Sequence, residues 1–155
     1  YRKVLVVSSG GDGWEDILKE HEVNTLIIEA CSQATGVRFP LLAKLRRNLD
    51  WRLVKAGETH LVYVRTESVP AEWLNEHSLP TSRVDDTVLS AAQRLLTVTP
   101  LRRQALWEIA RVLIVRGDYE TGFLYLERYV KVLGQNNVSP QILGYYRQLS
   151  ARLGR

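Results

Sequence analysis

The chain has no methionine and few of the residues that build redox or metal sites. Its 155 residues include a single cysteine and three histidines. Cys31 has no partner for an internal disulfide, and we expect it to be a buried structural thiol rather than a reactive one. The cysteine and the histidines (His21, His60 and His77) lack the spacing of metal ligands. The sequence therefore predicts neither a metal site nor a cofactor.

Long apolar runs are also missing. A bilayer span needs ~20 consecutive apolar residues, whereas the apolar runs here reach only four residues, as at Val4–Val7 and Val112–Val115. No signal-peptide pattern follows Tyr1. Because the chain starts at Tyr1 rather than at methionine, we expect it to be a processed product or a piece of a longer protein.

The positive charge is modest and dispersed. Lys and Arg number 21 against 17 Asp and Glu, so the net charge is 21 − 17 = +4. A basic cluster of Lys44, Arg46, Arg47 and Arg52 lacks the stacking aromatics of a nucleic-acid module. We therefore expect no nucleic-acid partner. The basic cluster is expected to be a solvated face or a face that is attracted to anionic headgroups.

Two halves of the chain differ in pattern. Residues 1–68 alternate short β-rich runs with short helices, residues 69–83 form a proline-flanked connector, and residues 84–155 show helical periodicity. These halves predict an α+β or α/β fold, with a small layered α/β domain that ends in a β-hairpin and an all-α domain after it.

The elements of the first half follow from local patterns. Thr25–Ile28 is continuous, uncharged and partly β-branched, which predicts a strand buried on both faces. Local propensity favours a strand at Val4–Val7 as well. The remaining predicted elements are a helix over Trp14–His21, a helix over Pro40–Asn48, and a hairpin of Trp51–Lys55 with His60–Arg65.

Four helices are predicted in the second half. The first begins near Asp85, an N-cap candidate, and ends at Thr99-Pro100. Two more span Leu101–Arg116 and Tyr119–Leu133, so that only Gly117-Asp118 separates them and they must lie antiparallel. The last runs over Pro140–Leu153 with Ser139 as its cap.

The stretch Arg103–Asn136 resembles a tetratricopeptide repeat. Its length is that of one repeat, and Gly117-Asp118-Tyr119 matches the turn between the two helices of such a unit. Small residues stand where the helices would cross, at Ala110 and Gly122. Pro100 extends the register upstream, whereas Gly134 replaces the usual closing proline. A plain antiparallel helical bundle is the alternative. The inner face would be formed by Leu106, Ile109, Ala110, Leu113, Gly122, Leu126 and Tyr129.

Aromatic side chains of the helical half are the candidate interaction surface. Core or inter-helix packing is favoured for the tyrosines, and a binding face is the alternative. The candidate residues are Trp107, Tyr125, Tyr129, Tyr145 and Tyr146.

No catalytic arrangement is recognisable. The loop Gly10–Gly13 follows an apolar run and precedes a helix, as a phosphate-binding loop does, but it lacks the usual glycine spacing and basic residue. Asp16, Glu20 and His21 are close at helical spacing, which is typical of a solvated surface. We therefore expect no catalytic residues. An independent nucleotide-binding or enzymatic domain that uses Gly10–Gly13 remains the alternative function.

The first half resembles the soluble tail that follows the last transmembrane helix of bacterial multi-spanning membrane proteins of the GT-C glycosyltransferase type. The resemblance covers about residues 1–66. It rests on an ordered series of a tryptophan helix, an apolar strand, a Leu-rich helix, a Trp-x-Leu-Val strand and a closing strand that ends in Arg. In this sequence the series is Gly13–Leu18, His21–Ile28, Leu42–Leu45, Leu49–Val54 and Leu61–Arg65.

The resemblance implies a function without catalysis in this chain. In that family the catalytic acids lie between membrane helices, the tail is extracytoplasmic (periplasmic), and some members append tetratricopeptide units. The segment before the Gly-Trp step is often helical there, which leaves strand and helix equally open for Val4–Val7. We therefore expect a non-catalytic domain of a larger membrane glycosyltransferase-like protein, which contacts a protein partner or positions the parent membrane domain.

Overall fold

The computed structural model describes residues 2–98 and 103–155. The chain divides into two compact units, one of residues 1–32 with 38–87 and one of residues 33–37 with 88–155. Within the described residues, no helix has both the length and the apolar character needed to cross a bilayer. The mixed α+β fold, with a β-hairpin and a helical part, is confirmed.

The first unit contains the strands. Its order is α1 (Arg2–Ser9), α2 (Trp14–Glu20), β1 (Thr25–Glu29), α3 (Leu41–Leu45), β2 (Trp51–Ala56), β3 (His60–Arg65), a 3₁₀ turn (Thr66–Ser68) and α4 (Ala71–His77). The first turn of α5 (Arg83–Val98) also belongs to it, since the boundary falls after Thr87.

The sheet is antiparallel throughout, in the order β1-β3-β2. The predicted hairpin is confirmed, with Gly57, Glu58 and Thr59 as its loop, and an irregularity shifts the register between Leu53 and Lys55. One face of the sheet packs on the helices. Its buried side chains lie with those of α2 and α3, and the set is Trp14, Leu18, Ile28, Leu41, Leu42, Leu45, Trp51, Leu53, Leu61 and Tyr63.

In this unit the structure decides one alternative that the sequence left open and corrects two expectations. Val4–Val7 is helical, within α1, and α1 packs on α2 and α3 instead of joining the sheet. The β1 strand is not buried on both faces: Ile28 is buried, but Ile27 on the opposite face is 71% exposed. A continuous apolar run is compatible with either environment, and only the position of β1 at the end of the sheet distinguishes them. The predicted helix over Pro40–Asn48 is shorter, at Leu41–Leu45.

The second unit is helical. It contains the rest of α5, then α6 (Arg103–Val115), α7 (Tyr119–Leu133), a 3₁₀ turn (Gln135–Asn137) and α8 (Pro140–Arg152). Helices α6 and α7 form the predicted antiparallel hairpin around Gly117. Tyr1 and residues 99–102 lie outside the described residues. The predicted end of one helix at Thr99-Pro100 and the predicted start of the next at Leu101 fall among them.

The interior of this unit is apolar. One cluster of buried side chains comes from α6, α7, α8 and the turn before α8, and its members are Leu106, Ala110, Ile114, Phe123, Leu126, Tyr129, Val130, Val138 and Leu149. Leu113 was expected on the inner face, but it is half-buried, while Ile114 is buried beside Gly122. The expected crossing of α6 and α7 at small residues is present, since the backbone of Ala110 and Ile114 approaches Gly122 closely.

Of the two helix caps that the sequence predicts, at Ser139 and Asp85, only the first is present. Ser139 caps α8 as predicted, because its Oγ accepts a hydrogen bond from Ile142 N at 3.4 Å. Asp85 is not an N-cap. Helix α5 begins two residues earlier, at Arg83, and the Asp85 carboxylate pairs with Arg38 and Arg46.

Candidate functional site

A groove between α6 and α8 is the candidate functional site of the helical unit. It has a volume of about 620 Å³. Helix α6 contributes one side at the spacing i, i+4, i+8, with Trp107, Arg111 and Val115. Helix α8 and the residues before it contribute the other side, which is formed by Ser139, Pro140, Gln141, Ile142, Gly144, Tyr145 and Gln148.

Short local contacts hold the α6 side of the groove. The ring of Trp107 is 6.3 Å from the ring of Tyr129 behind it, and Tyr129 Oη donates to Gln104 Oε1 at 3.3 Å. Arg111 Nη2 donates to Glu108 Oε2 at 2.6 Å. Glu108 is 5% exposed, so a nearly buried carboxylate positions the guanidinium at the groove wall.

The five residues of the predicted interaction surface separate into two groups. Trp107 and Tyr145 line the groove, and Tyr145 is 39% exposed. Tyr129 is buried in the core, and Tyr146 stacks on Phe123 with ring centroids 5.3 Å apart. Tyr125 is half-buried and packs against the same core. The groove therefore brings together two of the five candidates, whereas Tyr129 is buried in the core and the other two pack against it.

Sequence reasoning missed the polar part of the groove. Arg111, Gln141 and Gln148 were not among the candidate residues, although Arg111 follows Trp107 by one helical turn and Gln148 follows Tyr145 by three residues. Helical periodicity around each aromatic residue could have identified them.

The glycine loop forms a turn between α1 and α2. Gly10 and Gly13 have φ values of +62° and +78°, a conformation that favours glycine. A Cβ at Gly10 would lie 2.8 Å from Lys44 Cγ, so close packing on α3 also requires a glycine there. Helix α2 after the loop has only seven residues and carries Glu15 and Asp16 in its first turn. Backbone geometry and packing thus account for these glycines without a phosphate.

The acid–base candidates Asp16, Glu20 and His21 are exposed, and two of them contact Lys3. Lys3 Nζ lies 2.7 Å from Glu20 Oε1 and 3.4 Å from His21 Nε2. The hydrogen bond and the charge of the Lys3 ammonium lower the pKa of Glu20 below its usual range. Lys3 and Glu20 thus form a surface ion pair, and Asp16, Glu20 and His21 lie on a solvated surface, as the sequence predicts.

A buried ionic cluster in the first unit was not anticipated. The Asp85 carboxylate accepts two hydrogen bonds from Arg46, each 3.0 Å long, and lies 3.5 Å from Arg38 Nη1. The side chains of Arg38 and Asp85 are 11% and 12% exposed. Arg46 was expected on a solvated basic face, and it belongs instead to this cluster. The cluster stabilises the contact between the first turn of α5 and the segment around α3.

Tyr63 contributes a buried hydroxyl near this cluster. The residue is 1% exposed, and its Oη has no hydrogen-bond partner among the described residues. Burial raises the pKa of the Tyr63 hydroxyl to about 12, an effect that the charges of Arg38 and Arg46 oppose. A buried phenol without a partner lowers the stability of the fold.

We expect Tyr63→Phe to raise the free energy of unfolding by about 1 kcal/mol at pH 8, because the substitution removes a buried polar group that has no partner. The gain should grow at higher pH. The folded pKa of about 12 exceeds the unfolded value of about 10, so wild type loses stability as the pH rises from 10 through 12. Urea unfolding of both proteins at pH 8 and pH 11 measures this difference. A variant that is less stable than wild type at both pH values would contradict the expectation.

Arg65 also has a structural position. Its guanidinium lies 5.1 Å from the Trp51 ring centre, and its Nε donates to Val23 O at 3.2 Å. Cys31 is buried, as expected. Within residues 2–98 and 103–155, no cluster of histidine, cysteine and carboxylate side chains has an arrangement that could hold a metal ion.

Comparisons with models of protein families, with curated proteins and with solved structures find no match for this chain.

Proposed function

We propose that the helical unit binds a short segment of a partner protein in the groove between α6 and α8. The observation that carries this proposal is the composition of the groove walls. Trp107, Val115 and Ile142 offer apolar surface, and Tyr145 adds an exposed aromatic ring with a polar tip. Such aromatic side chains supply much of the binding energy at protein interfaces.

The polar groups of the groove suit an extended peptide. Gln141 and Gln148 carry side-chain amides that both donate and accept hydrogen bonds, so they can pair with the main chain of a peptide. Arg111 places a guanidinium in the same wall. Residues 103–155 contain eight basic and four acidic side chains, a balance of 8 − 4 = +4. The preferred partner segment is therefore acidic, with at least one apolar or aromatic side chain.

Selection from a displayed library of random peptides tests this function with the whole chain as bait. We expect enrichment of peptides that combine Asp or Glu with an aromatic or aliphatic residue. Tyr145→Ser and Gln148→Glu should each weaken the binding of a selected peptide by about tenfold, because one removes apolar contact and the other repels acidic peptides.

Leu124→Ser is the matched control, since Leu124 is 50% exposed on α7 and does not line the groove. Its affinity should remain within about twofold of wild type. Failure to enrich any peptide, or an equal effect of the control and the groove variants, would argue against the groove as a binding site.

We further propose that this chain is a non-catalytic, extracytoplasmic domain of a larger membrane glycosyltransferase-like protein, which it helps to position or connect to a partner. The order of helices and strands over residues 13–65, which carry the resemblance to that family, supports this proposal. Trp14 begins a helix, Leu26 and Ile28 lie in a strand, and a hairpin follows that begins at Trp51 and ends at Arg65.

The parent reading frame tests the second proposal directly. We expect several apolar segments of ~20 residues upstream of the codon for Tyr1. A parent protein without such segments would exclude the membrane setting, but it would leave the peptide groove to be judged by its own experiment.

A further inference from the structure

The outer edge of β1 is open in the first unit. Strand β1 stands at one end of the sheet, and no described strand pairs with its other side. Arg65 N donates to Asn24 O and Ala30 N donates to Thr59 O, so the main-chain groups of the even-numbered residues point toward β3. Because these directions alternate along a strand, the main-chain groups of Thr25 and Ile27 point outward, away from β3.

The opposite edge of the sheet is protected. Leu79 N donates to Leu53 O of β2, and the register shift between Leu53 and Lys55 makes that strand irregular. Irregular or covered edges resist pairing with another chain. Strand β1 has neither device, and it contains no lysine or proline that would discourage an added strand.

An apolar groove of about 520 Å³ runs beside the open edge. Val4 and Val7 of α1 line one side, and Ile27 and Ile28 of β1 line the other. Val4 is 67% exposed and Ile27 is 71% exposed, an unusual amount of apolar surface at one place. A strand added to β1 would place alternate side chains in this groove.

We propose that β1 pairs antiparallel with β1 of a second copy of this chain, about a two-fold axis at Ile27. The sequence of the strand is complementary to itself in this register. Ile27 lies opposite the partner's Ile27, and Leu26 lies opposite the partner's Ile28, so apolar side chains meet on both faces of the joined sheet. The outward main-chain groups of Thr25 and Ile27 then become hydrogen-bonded.

The position of Glu29 agrees with an antiparallel pair. The same register places the partner's Glu29 opposite Thr25, at the end of β1 that follows His21. Lys3 and His21 both line the groove, and Lys3 Nζ is already paired with Glu20 Oε1 at 2.7 Å. The antiparallel arrangement therefore keeps the two Glu29 carboxylates apart, whereas a parallel pair in register would align Glu29 with the partner's Glu29.

Sedimentation velocity of the whole chain tests the pairing. Wild type should form a dimer as its concentration rises to about 1 mM. We expect Ile27→Lys to raise the dimer dissociation constant at least about tenfold, because two lysines would meet at the axis. Ile27→Glu should have the same effect. An equimolar mixture of the two variants should regain association, since opposite charges would then face each other. Ile27 is largely exposed, so neither variant removes a core side chain.

Leu49→Lys is the control, because Leu49 is 76% exposed in the same unit, just before β2, and does not line the groove. It should dimerise like wild type. Amide hydrogen exchange at Thr25 and Ile27 should slow in the wild-type dimer. A wild-type monomer at every concentration would overturn the proposal, and so would a dimer that Ile27→Lys does not weaken.

Discussion

Asp85→Asn should lower the free energy of unfolding by about 3 kcal/mol. The substitution removes a negative charge that lies against both Arg38 and Arg46, and the side chains of Asp85 and Arg38 are almost fully buried. Breaking a buried ion pair from one side is costly because the remaining charge keeps its desolvation penalty. Chemical denaturation at neutral pH, monitored by circular dichroism, measures the change.

The adjacent Asp86 provides the matched control for Asp85. Both residues lie in the first turn of α5, but Asp86 pairs with Arg83 at 3.3 Å on the surface, where 43% of its side chain is exposed. Asp86→Asn should cost no more than about 1 kcal/mol. Equal losses for the two variants would mean that the position at the helix N-terminus, rather than the buried cluster, accounts for the effect.

Gly122→Ala should lower the free energy of unfolding by about 2 kcal/mol, although alanine is the better helix former. A Cβ at this position would lie 2.6 Å from Ile114 Cγ1 and 3.2 Å from Ala110 O. The second atom belongs to the backbone of α6, so the two helices would have to separate. Thermal and urea unfolding both report this loss.

Gly144→Ala separates the steric effect from helix propensity. Gly144 lies within α8, and a Cβ there would meet no atom within 4 Å. Alanine should therefore stabilise the chain at this position by about 0.5–1 kcal/mol. Because the gain in helix propensity is common to both substitutions, the difference between them measures the close approach of α6 and α7. A stabilising Gly122→Ala would contradict the close packing of α7 on α6.

Several elements were predictable because their determinants are local. The Gly57 loop lies between two β-rich runs, and Gly117 separates two helical periods. Ser139 and Pro140 begin α8 as neighbouring residues. Turn and cap preferences depend on a few adjacent residues, so the sequence is sufficient to identify them.

The candidate site was only partly predictable for a different reason. Helical periodicity indicates that Trp107 and Tyr145 lie on helices, but it does not say which face of α8 packs on the core. Tyr145 and Tyr146 are adjacent, yet one is exposed at the groove and the other stacks on Phe123. The packing of α8 on α7 decides between them.

By itself the sequence determined the mixed α+β composition, the hairpin and the helical hairpin around Gly117, because hydrophobic period and turn chemistry act over short distances. Only the tertiary structure decided that Arg46 and Asp85, 39 residues apart, form a buried pair, that Val4–Val7 is helical, and that β1 stands at an open edge. These outcomes depend on which distant surfaces exclude water together. That choice is a property of the packed chain, and no short segment contains it.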